Sequence, residues 1–224
     1  MTLALAWALP VFALAQTPVP GAVAISAVTS NEDTVPHEWI EVQNRSCQPL
    51  DLNLCTLQFF DQSCQTTRLV QLVDPATGSC PAGADECISC AATDCRVAAN
   101  GGWFLVTSAS SGHVSTADAV YSSSDFLQSD GAAVLKCAGV TIDTVGWNNT
   151  GTLPAGCAEG SAVPLDLGSG ETLVRDNRAS CSIDTDDNAA DFSAVFVPVA
   201  PRARTDGSGG GCGCVDLIFK DGFQ

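Results

Sequence analysis

The chain has 224 residues and carries 25 acidic against 9 basic side chains, which gives a formal net charge of −16. This length suits one domain of moderate size that can bury a substantial core. The excess of negative charge repels phosphate backbones and anionic lipid surfaces, so we expect neither nucleic acid nor an anionic membrane as a partner.

Residues 1–15, MTLALAWALPVFALA, have the composition of a signal peptide. The apolar run ends in Ala13-Leu14-Ala15, a small-x-small cleavage pattern, although the usual basic residue at the start is missing. The run is too short, and too interrupted by Pro10, to span a bilayer, and we find no later segment that is long enough. We therefore predict secretion to the exterior, the periplasm or the cell surface.

The 12 cysteines point either to an oxidising compartment or to metal binding, and the predicted leader favours disulfides. The ten cysteines from Cys47 to Cys181 allow five bridges. Cys47 with Cys55, and Cys157 with Cys181, are candidate pairs, but sequence alone leaves the connectivity open. Cys212 and Cys214 are too close to pair comfortably with each other and are available to bridge inward, to bind another molecule or to serve in processing.

From residue 23 onwards the chain consists of short runs rich in β-forming residues, separated by Gly, Asn, Asp and Ser. No stretch keeps a 3.6-residue apolar period over three turns, so no long helix is predicted. The predicted strands cover residues 23–28, 37–44, 50–54, 57–60, 68–73, 103–107, 132–137, 140–147 and 171–175. Many short strands of this kind indicate an all-β sandwich or barrel, which we place at residues 16–200.

Two segments depart from this pattern. Residues 61–98 hold five cysteines among Pro, Gly, Ala and Thr, and we interpret them as a Cys-rich, disulfide-stapled insertion and as the best candidate for a recognition surface. Residues 201–224 begin with a Gly/Ser-rich stretch and contain Cys212-Gly213-Cys214, which is typical of a flexible C-terminal tail.

Five motifs occur in an order that resembles the lamin tail domain family in its bacterial secreted form. They are HEWIEVQN with the PLDL that follows it, WFLV, LQSDGAAVLKCAGVTIDTVGW, GSGETLVRD and DTDDNAADFS. The resemblance covers residues 20–200 apart from the Cys-rich segment, and it implies an immunoglobulin-like β-sandwich that serves as a binding or structural module. Cys55 stands where that family usually has a tryptophan, which implies that a disulfide replaces an aromatic core residue.

The segment HEWIEVQN, residues 37–44, opens almost like the zinc-protease motif His-Glu-x-x-His, but its fifth position is Glu41. Its β-forming residues predict a strand, on which side chains alternate between the two faces. Ile40 and Val42 are then expected in the core. Glu38 and Glu41 are expected on opposite faces, where they cannot act together as an acid–base pair, and each is a candidate for a weak exposed ion pair with Arg45 or Arg175.

Other catalytic and metal-binding patterns are incomplete. The chain has two histidines, and His113 lies in a Ser/Gly-rich loop without a nucleophile elbow nearby. Cys87-x-x-Cys90, flanked by Cys80 and Cys95, is a single zinc-type knuckle without a neighbouring histidine, so disulfides are favoured. We therefore predict no catalytic residues, no resident metal and no cofactor, and we interpret the chain as not an enzyme.

The acidic segment 184–191, DTDDNAAD, places side-chain oxygens at alternate positions, as calcium loops do. An EF-hand would need glycine at Ala189 and glutamate at Val195, so the calcium hypothesis is kept only for a different kind of site. Its ligands would be the residues Asp184, Asp186, Asn188 and Asp191. The structural alternative is an Asx turn that leads Phe192 into the core.

The sequence thus predicts a secreted, disulfide-stapled, non-catalytic module that binds an unidentified protein or cell-surface ligand. The alternative is a calcium- or metal-dependent accessory module of an extracellular hydrolase.

Overall fold

The structure is a computed structural model that describes residues 16–31, 38–75, 80, 82–91, 94–122, 127–168, 171–196, 199–207 and 211–212. The predicted signal peptide, His37, Cys214 and the last residues of the chain lie outside the described residues. In the part of the chain that the structure describes, no helix is both long and apolar enough to cross a membrane.

The first sheet has six strands in the order β13-β12-β1-β2-β8-β9. Every neighbouring pair is antiparallel except β8 and β9, which are parallel. The strands of this sheet are β1 (Val23–Asn31), β2 (Trp39–Asn44), β8 (Trp103–Ser108), β9 (Ala119–Tyr121), β12 (Glu171–Arg175) and β13 (Phe192–Val195).

The second sheet has five strands in the order β11-β10-β4-β5-β6, with β5 and β6 parallel. Its strands are β4 (Thr56–Asp61), β5 (Thr66–Val73), β6 (Glu86–Ser89), β10 (Gly131–Cys137) and β11 (Val140–Trp147). A two-stranded ladder joins β3 (Leu50–Asp51) to β7 (Arg96–Val97). The described helices are one turn of α-helix, α1 (Asn188–Asp191), and a 3₁₀ turn at Arg204–Asp206.

The inward faces of the two sheets form one apolar core. Ile40 and Val42 of β2 lie in the same buried cluster as Leu57 and Phe59 of β4 and Leu135 of β10. Period-two alternation sends these side chains inward because each sheet buries one face against the other. The prediction of an all-β sandwich with Cys-rich segments is therefore confirmed.

A smaller cluster covers the outer face of the six-stranded sheet. Trp39 of β2 and Leu105 of β8 pack there with Ala203 from the C-terminal part of the chain. We call residues 199–207 the strap. The sequence predicted a flexible tail from residue 201 onwards, but residues 201–207 lie against the sheet because Ala203 is buried and Arg204 forms ion pairs with Asp118 and Asp94.

The Cys-rich segment 61–98 is partly built into the second sheet. It contains β5, which the sequence predicted in part, and β6, which it did not predict. β6 pairs in parallel with β5, and a parallel partner reached through a long connection leaves no hairpin signal in the sequence. The strands β7, β9 and β13 were also missed, since they have only two, three and four residues.

Five disulfides lie among the described residues, and they indicate an oxidising compartment. The pairs are Cys55–Cys137, Cys64–Cys157, Cys80–Cys87, Cys90–Cys95 and Cys181–Cys212. The predicted pairs Cys47–Cys55 and Cys157–Cys181 are wrong, because Cys55 lies opposite β10 and Cys157 lies near the β4–β5 turn. Cys212 bridges inward, one of the options left open by the sequence, and Cys47 is also disulfide-bonded.

Candidate functional site

The two glutamates of strand β2 lie on opposite faces of the six-stranded sheet, as predicted. Glu38 shares the inward face with Ile40 and Val42, which belong to the main core. Glu41 shares the outward face with Trp39, which belongs to the smaller cluster. Both carboxylates are buried rather than exposed, so the sequence was right about their direction and wrong about their exposure.

Glu38 connects the core to the chain that follows β9. Its Oε2 accepts a hydrogen bond from the Tyr121 hydroxyl at 3.0 Å, and its Oε1 accepts one from the backbone N–H of Leu127 at 3.2 Å. Burial, and then the charge of Glu38, raise the pKa of Tyr121 well above its ordinary value. The hydroxyl therefore stays protonated and donates, which is a structural role.

Glu41 is the anion of a buried ion pair with Arg178. The guanidinium of Arg178 donates to both carboxylate oxygens, one of them at 2.6 Å through Nε. The Ser26 hydroxyl and the backbone N–H of Arg202 also donate to this carboxylate, at 2.6 and 2.7 Å. The predicted exposed pairs of Glu38 or Glu41 with Arg45 or Arg175 are therefore wrong, because β2 turns Glu41 towards the turn that follows β12.

A second polar cluster surrounds Arg175, the last residue of β12. The register of β1 shifts between Ile25 and Ala27, and β12 pairs with β1 only as far as Ala27 on this side. Side chains replace the missing partner strand: Ile25 N–H donates to Asp143 Oδ2 at 2.5 Å, and Arg175 Nε donates to Ile25 O at 2.9 Å. The cluster therefore completes a buried ladder that would otherwise leave polar groups unpaired.

Three carboxylates converge on the Arg175 guanidinium. Nη2 contacts both oxygens of Asp143 at 3.0 and 2.9 Å, and Nη1 contacts Asp184 and Asp191, each at 3.1 Å. Arg45 provides a second cation at 2.7 Å from the other oxygen of Asp184. We call Arg175, Asp143, Glu159, Asp184 and Asp191 together the Arg175 cluster.

Glu159 holds the proton of this cluster at neutral pH. Burial, followed by the charges of Asp143 and Asp184, raises the pKa of Glu159 to about 8. Asp143 is buried as well, but it accepts hydrogen bonds from Arg175, from Ile25 N–H and from Thr144 N–H. The charge of Arg175 and these donors oppose the effect of burial, which nevertheless raises the pKa of Asp143 as well.

The four predicted calcium ligands do not come together as a set. Asp191 accepts from Arg175 and from Thr185, and Asn188 bonds to the backbone of β11 at Gly146 and Thr144. Asp186 is exposed and has a positive φ of 59°. The structural alternative to a calcium loop predicted that Phe192 enters the core. Phe192 does belong to the main core, and the Arg175 guanidinium lies over its ring.

A different group has the geometry of a cation site. One oxygen each from Asp143, Glu159 and Asp184 lies within 4.8 Å of the other two. Within the described ranges, no other group of three or more possible ligands meets this distance. Carboxylate oxygens suit calcium or magnesium. However, Arg175 already binds two of these three residues, and Glu159 would first have to lose its proton.

The remaining sequence candidates have structural surroundings. Cys87 and Cys90 belong to two different disulfides, with Cys80 and with Cys95, so their sulfurs are not thiolate ligands. His113 lies in a turn, where its backbone carbonyl accepts hydrogen bonds from the N–H groups of Thr116 and Ala117. Both observations agree with the non-metal and loop interpretations of these residues.

Only one feature of the sequence pointed to the Arg175 cluster. Asp143 interrupts the otherwise apolar and β-branched strand VTIDTVGW, and it is buried there. A lone acid in the middle of a predicted core strand is a usable signal, because burying a carboxylate requires a cationic or donor partner. The identity of that partner is not visible in the sequence, since Arg175 lies 32 residues away.

Comparison with known proteins gives no assignment, since no family model, no curated protein and no solved structure matches the chain.

Proposed function

We propose that the chain is a secreted, non-catalytic binding or structural module of lamin-tail type that binds a protein or cell-surface ligand. The observation that supports this most directly is the division of the two β2 glutamates between opposite faces. Glu38 and Glu41 serve separate hydrogen-bond networks, so they do not form the pair of carboxyl groups that glycoside hydrolysis uses as acid and base.

The buried charges support the same proposal. Glu41 is matched by Arg178, and Asp143, Asp184 and Asp191 are matched by Arg175 and Arg45. Catalytic groups are typically left accessible to a substrate, whereas these groups are used up by contacts within the fold. Such a scaffold leaves recognition to its loops, its strap and the Cys-rich segment.

Secretion and the lamin-tail type rest on the sequence: the apolar residues 1–15 and the five motifs in family order. The disulfides support an oxidising destination. We expect two or fewer reactive thiols when the folded protein is counted by mass spectrometry after alkylation. Eight or more would overturn the secretion argument.

The proposed role is tested by measuring retention and turnover on the same sample. Fluorescently labelled, oxidised protein is expected to bind saturably to washed cells of the producing organism, whereas reduced and alkylated protein is expected to lose this binding. Ester, phosphodiester, glycoside and peptide substrates are expected to remain intact. Turnover that Glu38→Gln or Glu41→Gln abolishes, while leaving the melting temperature unchanged, would contradict the non-catalytic role.

The alternative, a calcium- or metal-dependent accessory module of a hydrolase, is kept because Asp143, Glu159 and Asp184 bring oxygens close together. Melting with and without millimolar CaCl₂ separates the two proposals, since a bound ion raises the melting temperature by mass action. We expect no shift, because Arg175 is the resident cation of this cluster. A rise that disappears in Asp143→Asn would support the alternative.

We do not propose nucleic acid as a partner, because the net charge of −16 opposes it. A gel shift that weakens steeply with salt would contradict this.

A further inference from the structure

An open cavity lies between the strap and the outer face of the six-stranded sheet. Its volume is about 480 Å³, and it is lined by Trp103 of β8, by Arg178 and by the strap residues Val199, Ala200, Pro201, Arg202 and Asp206. Cavities of this size are in the range that binds small molecules or a single side chain of a larger partner. We call it the strap cavity.

Arg202 is charged and lacks a carboxylate partner. Among the described residues, Arg175, Arg178 and Arg204 each form an ion pair, whereas no carboxylate lies within ion-pair distance of the Arg202 guanidinium. The hydrogen bond of this guanidinium goes from Nη1 to the backbone carbonyl of Arg178 at 3.1 Å. Burial, and then the charge of Arg178, lower the pKa of Arg202, whereas the charges of Glu41 and Asp206 oppose this. A bound anion would add to the charges that favour the Arg202 cation.

Trp103 contributes a second unused donor. The residue is 5% exposed, and its indole Nε1–H is buried without a hydrogen-bond partner. The Arg202 guanidinium lies over the indole ring at 4.7 Å from the centroid. A buried N–H without an acceptor is rare because its loss of hydration is not compensated, and the Trp103 side chain lines the strap cavity.

We propose that the strap cavity binds a carboxylate group, with Arg202 as the charged donor and Trp103 as the neutral donor. A carboxylate matches the planar donor arrangement of a guanidinium. This inference rests on the proposed binding role and names the chemistry of its ligand.

The local charge favours a carboxylate over a more highly charged anion. Arg178 is neutralised by Glu41, and Asp206 lines the same cavity as Arg202, so the immediate surroundings are close to neutral. A group with one negative charge is therefore accepted more easily than a phosphate with nearly two. At physiological salt the remaining acidic side chains are screened beyond about 8 Å.

The experiment records the indole N–H signals of the oxidised protein by two-dimensional NMR, with Trp103→Phe to assign the Trp103 signal. The probes are two matched pairs: D-glucuronate with D-glucose, and N-acetylglutamate amide with N-acetylglutamine amide. We expect the Trp103 signal to move downfield and to saturate with the acid of at least one pair, and to stay in place with the neutral partners. The pair that responds distinguishes a sugar acid from an acidic side chain as the source.

Two variants test the role of Arg202. We expect Arg202→Gln to weaken binding about tenfold, and Arg202→Lys to weaken it less because the charge remains. Lys136→Gln removes one positive charge from β10 in the opposite sheet and is expected to leave binding unchanged. Melting curves establish that all three variants are folded.

The inference is overturned if neither acid moves the Trp103 signal when its concentration is raised to about 50 mM, which is far above a millimolar dissociation constant. It is equally overturned if the neutral partners act as well as the acids, or if Lys136→Gln weakens binding as much as Arg202→Gln. Retention on cells that is unaffected by Arg202→Gln would place the ligand elsewhere and leave the proposed function standing. Binding of the acids without retention on cells would instead contradict the proposed function.

Discussion

Arg175 and Arg178 are three residues apart and both are buried, but their surroundings differ in charge. Arg175 has carboxylates on both sides, from Asp143 and from Asp184 and Asp191. Arg178 has one carboxylate, that of Glu41, and a second arginine, Arg202, as its neighbour. The first surroundings have an excess of acid and retain a proton on Glu159, whereas the second leave the Arg202 guanidinium without a carboxylate at ion-pair distance. In a protein with a net charge of −16, the local balance therefore decides which ligand a site can accept.

The largest effect is expected from Arg175→Met. This change leaves Asp143 and Asp191 buried without their cation and leaves the carbonyl of Ile25 without its donor. We expect the free energy of unfolding to fall by about 3–5 kcal/mol, measured by urea denaturation at pH 7. A loss below about 1 kcal/mol would mean that water or a proton replaces the guanidinium without cost.

A somewhat smaller effect is expected where a single carboxylate is involved. Arg178→Met leaves Glu41 buried and unpaired, and we expect a loss of about 3 kcal/mol. The double variant Glu41→Gln/Arg178→Met removes both charges and is expected to be more stable than Arg178→Met alone. Glu41→Gln alone completes a double-mutant cycle, in which two single losses that simply add up to the loss of the double variant would show that the pair is not coupled.

The proton on Glu159 makes stability depend on pH in a predictable direction. The unfolded chain releases this proton near pH 4.5, whereas the folded chain keeps it until about pH 8. Between these values the folded state binds more protons, so its stabilising contribution is present in acid and is lost as the pH rises towards 8.

We expect the free energy of unfolding to fall by less than about 1.4 kcal/mol per pH unit in that interval, because Glu159 is partly exposed and its interactions are screened. Glu159→Gln is the matched control, and it should remove this slope. Denaturation curves between pH 5 and pH 8 measure the difference. An unchanged slope in the variant would assign the pH dependence to another group.

The smallest effect is expected at the rim of the Arg175 cluster. Arg45 contacts Asp184 alone in that cluster, and its side chain is 21% exposed. Arg45→Met should therefore cost no more than about 1 kcal/mol, which provides a surface control for Arg175→Met. A cost equal to that of Arg175→Met would mean that the two cations share the burial of Asp184 equally.

The sequence by itself determined most of the strands and the direction of the side chains along them. Alternation along WIEVQN placed Ile40 and Val42 in the core and separated Glu38 from Glu41, because this period depends only on local backbone geometry. Composition also indicated disulfides and an oxidising compartment. Strand β6 was missed because its parallel partner is not joined to it by a hairpin, and β9 was missed both for this reason and because it has only three residues.

Only the tertiary structure decided which charges and which cysteines meet. The bond from Ile25 to Asp143 joins residues 118 positions apart, and that from Arg175 to Ile25 joins residues 150 positions apart. Cys55 joins Cys137 across 82 positions. Such contacts follow from the order of the strands in the sheets, which local periodicity does not specify. For this reason the Arg175 cluster, the Glu41–Arg178 ion pair and the strap cavity were visible only in the fold.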